Sequence, residues 1–388
     1  MHNMRTGMDR PGRGEPGRGR TLITVIPTLN APLLAKLQRV ITGMEGEGQE
    51  VRLLSLYPQD PAMDRYLVRP LGGRWPRGIG IFLRGLWSFR WKVWTERMMV
   101  WASMDRAAAM KATLIELYRN ARLLAAEKPD VVYVWNPYCC AFGILGELAR
   151  AVGYKVRTIE LGVLPDTIQL DDGFLHRSAV LARYARVKGG FARQGNEVML
   201  QLRGRSDTRG YVQGQAKLPQ QAALLPGEIG ILVFGLSDVD AGVIPGWAPE
   251  RRGPYPYHLN GIALAQAIAS RSTRYKVIFK PHPNHNQWPK DVPLAANAWV
   301  VNGDARHLLQ WCDVVVANGS KMEVEAMLAD RPVVNIGKGI LSFSEASYRV
   351  ESWEEVDRVI LAAKAREGFE ERRAALADLM GYLSENSV

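Results

Sequence analysis

The chain has 388 residues, 47% of them hydrophobic, which is enough for two domains that each bury a core. Its three cysteines, two of them adjacent, exclude a disulfide framework and a zinc site built on spaced cysteine pairs, and they indicate a reducing compartment. The net charge of +11 favours an anionic partner without choosing among nucleic acid, membrane and substrate. No run approaches the roughly 18 apolar residues of a spanning helix, so the expected location is the cytoplasm.

The first 20 residues are rich in Gly, Pro and Arg and predict a disordered basic tail, because they cannot build a core. The ordered chain begins with the strand TLITVIPTL, a helix over residues 31–44 and the strand VRLLSL. Helices near 106–127 and 140–152 then alternate with the strands VVYVW and KVRTIEL. This alternation predicts a parallel sheet with helices on its faces.

A helical stretch to about residue 203 and a Gln- and Gly-rich passage separate this unit from a second one. In the second unit, the strands IGILVFGL, YKVIFK, AWVV, DVVVAN and PVVNIG again alternate with helices. Two similar α/β units with a cleft between them follow from this pattern. The expected divisions are a tail at 1–20, a first domain at 21–204, a linker at 205–227, a second domain at 228–345 and C-terminal helices at 346–388.

Two strand ends of the second unit carry phosphate-binding chemistry, since open α/β sheets bind ligands beyond the carboxyl ends of their strands. YKVIFK runs into PHPNH, where Lys280 and His282 can oppose a phosphate. DVVVAN ends in Asn318, Gly319 and Ser320, where glycine lets the backbone approach a ligand and a helix N-terminus can hold an anion.

In the helix that follows, Glu325 can accept hydrogen bonds from ribose hydroxyls, although an exposed helical glutamate is the simpler interpretation. The two strand-end motifs together predict one nucleotide site.

The segment TIELGVLPDTIQLDDGFLHRS gathers carboxylates in an irregular stretch of a basic chain. Asp171 or Asp172 could attack a sugar as a catalytic carboxylate, with Glu160 as a second acid or base. The alternative is structural: either aspartate could form an Asx-turn with the following glycine and cap the next helix.

In order, VWNP, ELGVLPDTIQLDDGFLHRS, FKPHP and NGSKMEVEAMLADRPVVNIG resemble the capsule polysaccharide biosynthesis family, which includes retaining β-Kdo glycosyltransferases. The resemblance implies a GT-B-like α/β fold, with two Rossmann-like domains facing a central cleft and C-terminal helices packing back. It also implies a CMP-activated donor in the second domain, a glycan or glycolipid acceptor on the side of the first, and neither a metal nor a cofactor. The resemblance implies Kdo or a similar sugar as the donor. Glu323 departs from the small residue common in the family after the donor serine, and this departure weakens the assignment of the sugar.

The resemblance assigns roles residue by residue. Either Asp171 or Asp172 is the expected catalytic carboxylate, because DDGF matches the family pattern in two registers. Glu160 is the expected supporting acid or base. Lys280, His282, Asn318, Gly319, Ser320 and Glu325 are the expected donor-binding residues. Trp135, Asn136 and Arg177 are expected on the acceptor side.

A tryptophan-rich stretch over residues 75–104 predicts a helix with its tryptophans on one face and arginines at the flanks. Such a face suits peripheral contact with an anionic membrane at the inner side of the plasma membrane, and equally a helix packed on the first sheet. The tryptophans concerned are Trp87, Trp91, Trp94 and Trp101.

Two other functions are compatible with the sequence. Asp238 and Asp240 form a short Asp-Val-Asp motif after an apolar strand, as in metal-dependent transferases that use UDP or GDP sugars. The basic tail and the tryptophans would also suit a non-enzymatic RNA- or membrane-binding protein, although no specific nucleic acid is expected as a partner.

Overall fold

The structure is a computed structural model, and statements about it concern the residues that it describes. Residues 1–18 of the expected tail, residues 205–213 of the expected linker, and Asp238 and Asp240 lie outside them. The described residues are 19–25, 31–55, 78–88, 94–95, 98–99, 105–135, 137, 140–164, 167–173, 178–203, 214–234, 261–281, 294–317, 321–336 and 339–386.

The first sheet has the strand order β2-β1-β3-β4-β5. Its first four strands are parallel, whereas β5 runs antiparallel to β4 and was not predicted. The other predicted strands, and the helices expected over 31–44, 106–127 and 140–152, are present. The strands are β1 (Arg20–Val25), β2 (Glu50–Ser55), β3 (Val131–Trp135), β4 (Lys155–Leu161) and β5 (Ile168–Asp171), and the helices are α1 (Ala31–Gly46), α2 (Ile79–Ser88), α3 (Arg106–Glu127) and α4 (Cys140–Ala151).

The second sheet is parallel and has the order β8-β7-β6-β9-β10-β11, which is the 3-2-1-4-5-6 order of a dinucleotide-binding fold. The order reverses between β6 and β9, where such sheets bind ligands. The strands are β6 (Ile229–Phe234), β7 (Tyr275–Lys280), β8 (Ala298–Val300), β9 (Val314–Ala317), β10 (Val333–Ile336) and β11 (Tyr348–Val350).

Helices surround this second sheet and connect it to the first. Strands β6 and β9 are buried along their whole length, as expected of apolar strands covered by helices on both faces. The helices are α5 (Ala179–Val187), α6 (Ala192–Arg203), α7 (Gly261–Ala269), α8 (Ala305–Trp311), α9 (Met322–Leu328), α10 (Val356–Lys364) and α11 (Phe369–Asn386).

The buried apolar side chains form two cores, one around each sheet. Val180 and Tyr184 of α5 and Met199 of α6 belong to the second core, although they precede the division expected at residue 204. The boundary between the two cores therefore lies before residue 204 in the chain, close to the end of the first sheet.

The last helix ties the end of the chain to α5 and α6. The Tyr382 hydroxyl donates to the Val180 carbonyl at 3.2 Å, and the Asp378 carboxylate accepts the backbone N–H groups of Gly189 and Phe191 at 2.8 and 2.7 Å. The predicted GT-B-like architecture is confirmed, since two Rossmann-like units are present and the C-terminal helices pack back.

For Trp94, the structure agrees with packing in the first unit, one of the two expected arrangements, and not with membrane contact. Its side chain is 2% exposed in the first core, and its indole N–H donates to Glu147 at 2.8 Å, whereas Trp87 is 93% exposed. The described part of α2 runs from Ile79 to Ser88, and residues 89–93, between it and Trp94, lie outside the described residues. Trp91 and Trp101 lie outside the described residues, and no described helix is both long and apolar enough to cross a membrane.

We expect Gly195→Ala in α6 to lower the free energy of unfolding by about 1–3 kcal/mol, the usual range for overpacking. A β-carbon at Gly195 would lie 1.5 Å from the Ala377 carbonyl oxygen of α11, so the two helices would have to separate. Urea unfolding measures the change. Gly43→Ala is the control, because Gly43 is an exposed helical glycine with nothing within 4 Å; equal effects of both substitutions would contradict the account.

Candidate functional site

The site is built on the antiparallel pair β4–β5. Thr158 is paired with Asp171, and Glu160 with Gln169, so these four side chains project from one face of the sheet. Glu160 and Asp171 are diagonal neighbours in this register, a relation that places their β-carbons roughly 7–8 Å apart. The sequence Leu-Pro-Asp-Thr before β5 is a turn signal that sequence reasoning missed.

Asp171 is 3% exposed, and its carboxylate is a centre of hydrogen bonding. One oxygen accepts the N–H groups of Gly173 and Ala179 at 3.0 and 2.7 Å. The other accepts from the Gln169 amide at 2.9 Å and from the Ser178 hydroxyl. Asp171 therefore forms the Asx-turn considered for this segment, and it accepts N–H groups at the start of α5 beside the N-cap residue Ser178. These bonds fix its carboxylate in one orientation.

Asp172 is in a different environment. Its side chain is 58% exposed, and Oδ1 accepts from Nε of Arg157 at 2.6 Å. Arg157 in turn donates to the Tyr133 hydroxyl at 3.0 Å. The two adjacent aspartates thus differ sharply, because Asp171 is enclosed by protein donors and Asp172 forms an ion pair near the surface.

A cavity adjoins the β4–β5 pair and receives residues from both units. Its volume is about 30 Å³, room for about two waters at roughly 10–15 Å³ each and too little for a sugar ring. The lining residues are Thr158, Glu160, Val163, Gln169, Asp171, Gly173, Ser178 and Leu181 from the segment around β4, β5 and α5, and Lys321 and Ile340 from the second unit.

An ion pair crosses this cavity between the two units. Nζ of Lys321, the residue before α9, lies 3.3 Å from Oε1 of Glu160 on β4. The side chains are only 17% and 24% exposed, so solvent screens the pair less than a surface ion pair. Sequence reasoning missed Lys321; its place directly after the predicted donor segment was the available signal.

Lys280 lies at the carboxyl end of β7 and is 7% exposed. Burial lowers the pKa of its ammonium group, while the nearby carboxylates of Asp304 and Glu325 act in the opposite direction. Its ammonium donates to the Pro281 carbonyl at 3.3 Å. A buried cation at this end of a parallel strand is suited to binding an anion.

Two further polar residues are buried near the same sheet edge. Glu323 is fully buried, and its carboxylate accepts the Leu341 N–H at 3.3 Å, which links α9 to the segment after β10. Asn335 is 1% exposed, and neither polar atom of its amide has a hydrogen-bond partner among the residues that the structure describes. Asn335 is paired with Ala317, the last residue of β9, so it adjoins the predicted donor segment.

The structure brings Glu160 and Asp171 together and puts Lys280 near the charge of Glu325. Trp135 requires a correction: its side chain is 3% exposed in the first core, so it does not line an acceptor surface. Six other predicted site residues lie outside the described residues and stay predictions. They are Asn136, Arg177, His282, Asn318, Gly319 and Ser320.

No protein-family model and no curated protein matches the chain. Among solved structures, the KpsC β-Kdo 2,4 transferase of Thermosulfurimonas dismutans is similar at 15% identity, covering 64% of this chain and 80% of that one, with a TM-score of 0.43. The KpsC β-Kdo 2,7 transferase of that organism is similar at 14% identity, with coverages of 64% and 79% and a TM-score of 0.42. The spinosyn rhamnosyltransferase SpnG is similar at 16% identity, with coverages of 94% and 96% and a TM-score of 0.33. Because these TM-scores are below 0.5, the functional argument rests on the residues of this chain.

We expect Asp171→Ala to lower the free energy of unfolding by at least about 2 kcal/mol, because it removes a helix cap and leaves several buried donors unpaired. Asp172→Ala should change it by less than about 1 kcal/mol, since it removes one partly exposed ion pair and Arg157 keeps its hydrogen bond to the Tyr133 hydroxyl. Urea unfolding of both variants measures the difference. Equal losses in the two variants would contradict the assignment of Asp171 as the structural centre.

Proposed function

We propose that the chain is a glycosyltransferase of surface polysaccharide synthesis. It transfers Kdo or a similar acidic sugar from a CMP-activated donor to a glycan or lipid-linked acceptor, with retention of configuration. The observation that carries this proposal is the cavity between the two units, in which Glu160 and Asp171 adjoin Lys321. The ordered motifs of the sequence supply the donor class and the stereochemistry.

In the proposed reaction, Asp171 rather than Asp172 is the catalytic carboxylate. Asp171 lines the cavity, whereas Asp172 forms an ion pair with Arg157. The Asp171 carboxylate attacks the anomeric carbon, the bond to CMP breaks, and an acceptor hydroxyl then displaces the enzyme carboxylate. Glu160 takes the proton from that hydroxyl.

Donor binding is proposed at the carboxyl end of the second sheet. Lys280 offers a buried positive charge to the phosphate, and the half-buried Glu325 accepts from ribose hydroxyls. His282 and Ser320 stay assigned to the phosphate by the motif resemblance. In the proposed binding step, the Glu160–Lys321 pair loosens and widens the cavity for the donor.

The proposed place of action is cytoplasmic, peripheral at the inner face of the plasma membrane, where a lipid-linked acceptor can reach the cleft. The donor is a substrate, and the proposed reaction uses no cofactor. A metal-dependent reaction with a UDP or GDP sugar remains the competing proposal, and activity that is lost with EDTA and restored by manganese would favour it.

We expect Asp171→Asn to lower kcat with CMP-Kdo by at least about 100-fold, because the amide loses nucleophilicity. The amide keeps only one of the two accepting oxygens, so urea unfolding first checks that the variant is folded. Asp172→Asn is the matched control and should stay within about threefold of the wild type. Product release is measured chromatographically, and intact mass after rapid quenching tests for a glycosyl adduct. Activity lost in Asp172→Asn but kept in Asp171→Asn would overturn the assignment.

We expect Lys280→Met to raise the free energy of unfolding and, at the same time, to weaken binding of the CMP-sugar. Removal of a buried charge should raise the free energy of unfolding, since burial disfavours the ammonium form. The KM for the CMP-sugar should rise at least about tenfold, because a charge-assisted hydrogen bond is worth about 1.5–3 kcal/mol. Urea unfolding and steady-state kinetics give the two values; an unchanged KM would remove Lys280 from the donor site.

A further inference from the structure

Asn335 is a buried amide whose donor and acceptor are both unpaired. It lies on β10, and neither Nδ2 nor Oδ1 forms a hydrogen bond with any residue that the structure describes. An unpaired buried polar group costs free energy, because it loses its hydrogen bonds to water when the chain folds. The proposed reaction does not use this amide. Its hydrogen-bonding capacity is therefore available to a ligand.

The register of the second sheet places Asn335 in one row with Lys280. Asn335 is paired with Ala317 and Phe234 with Lys280, and the pairing of β6 with β9 brings Phe234 level with Ala317. Because paired residues project from the same face of a sheet, the Asn335 amide and the Lys280 ammonium share one face. Strands β6 and β9 separate them, so three strand spacings put their α-carbons roughly 14 Å apart. The row has a buried cation at one end and a buried neutral amide at the other.

The chain leads from the β10 end of this row to the cavity of the proposed reaction. Ile340, four residues after β10, lines that cavity. The next N–H, that of Leu341, donates to the buried Glu323 carboxylate at 3.3 Å, which holds this wall against the start of α9. With Lys280 at the donor phosphate and Asp171 at the anomeric carbon, the sugar of the donor lies on the β10 side of Lys280. The unpaired amide is therefore at the sugar end of the donor.

We propose that Asn335 binds the sugar of the donor through two neighbouring hydroxyl groups, an inference that rests on the proposed function. An amide both donates and accepts, and so does a pair of hydroxyls, so such a pair satisfies Nδ2 and Oδ1 together. A sugar carboxylate only accepts, and it would leave Oδ1 facing a negative charge. Asn335 thus selects for the sugar, since a donor without these hydroxyls leaves the buried amide unpaired.

Calorimetry with CMP and with CMP-Kdo separates the sugar from the nucleotide. Asn335→Leu should raise the Kd for CMP-Kdo at least about tenfold, because two hydrogen bonds to the sugar are lost. Its Kd for CMP should stay within about twofold of the wild type, since CMP carries no sugar to be bound. The urea midpoint of the variant without ligand should rise, because leucine has a similar shape and buries no unpaired polar atom.

Asn297→Leu is the matched control. Asn297 directly precedes β8, and its amide donates to the carbonyls of Ala269, Ser272 and Tyr275 at 3.0, 3.1 and 2.8 Å. Loss of these bonds should lower the urea midpoint and leave both dissociation constants unchanged. The two asparagines of one sheet should therefore respond to the same substitution in opposite directions.

Asn335→Asp tests which group of the sugar is bound. A carboxylate at this position still accepts from a hydroxyl, so CMP-Kdo should bind Asn335→Asp more tightly than Asn335→Leu. Contact with the sugar carboxylate would make Asn335→Asp the weaker of the two, because like charges repel, and that order would overturn the hydroxyl assignment.

Three further results would overturn the inference. An unchanged Kd for CMP-Kdo in Asn335→Leu would show that the amide does not contact the sugar. Equal losses for CMP and CMP-Kdo would assign its effect to the nucleotide, and a lower urea midpoint would show an amide that is already paired without ligand. Normal CMP binding beside any of these removes this inference alone, whereas a wild type that binds neither ligand removes the proposed donor as well.

Discussion

The buried carboxylate of Asp171 is the interaction on which the arrangement of the two units depends. It lies at the end of β5, the last strand of the first sheet, and accepts N–H groups at the start of α5. Helix α5 then contributes Val180, Leu181 and Tyr184 to the second core. One carboxylate therefore fixes the point at which the chain leaves the first sheet and enters the packing of the second unit.

This constraint gives the candidate site its geometry. Because Asp171 is held by donors from β5, the following turn and α5, it cannot turn away from the cavity face that it shares with Glu160. Lys321 reaches the same space from the second unit. The same carboxylate can thus have a structural and a chemical role. The two roles are told apart by comparing Asp171→Ala, which removes the whole carboxylate, with Asp171→Asn, which keeps its shape but removes its charge.

The parts of the fold that could be predicted were the strands and helices, because each is set by a local pattern of apolar residues. Buried apolar runs and helical spacing located most strands and helices within a few residues. The antiparallel strand β5 was missed because its four residues are too short for a clear alternation. The choice between membrane contact and core packing was left open for the tryptophans, because their spacing alone does not distinguish the buried Trp94 from the exposed Trp87. Long-range pairings such as Glu160 with Lys321, 161 residues apart, depend on tertiary structure that no local pattern encodes.

The most direct measurement is calorimetric titration of the purified protein with CMP, UDP, GDP and ADP under the same conditions. The account predicts that CMP binds selectively, and that His282→Ala, which changes the motif histidine assigned to the donor phosphate, abolishes that binding. Preference for UDP or GDP would contradict the CMP-activated donor. Absence of binding to all four nucleotides would contradict the glycosyltransferase account itself.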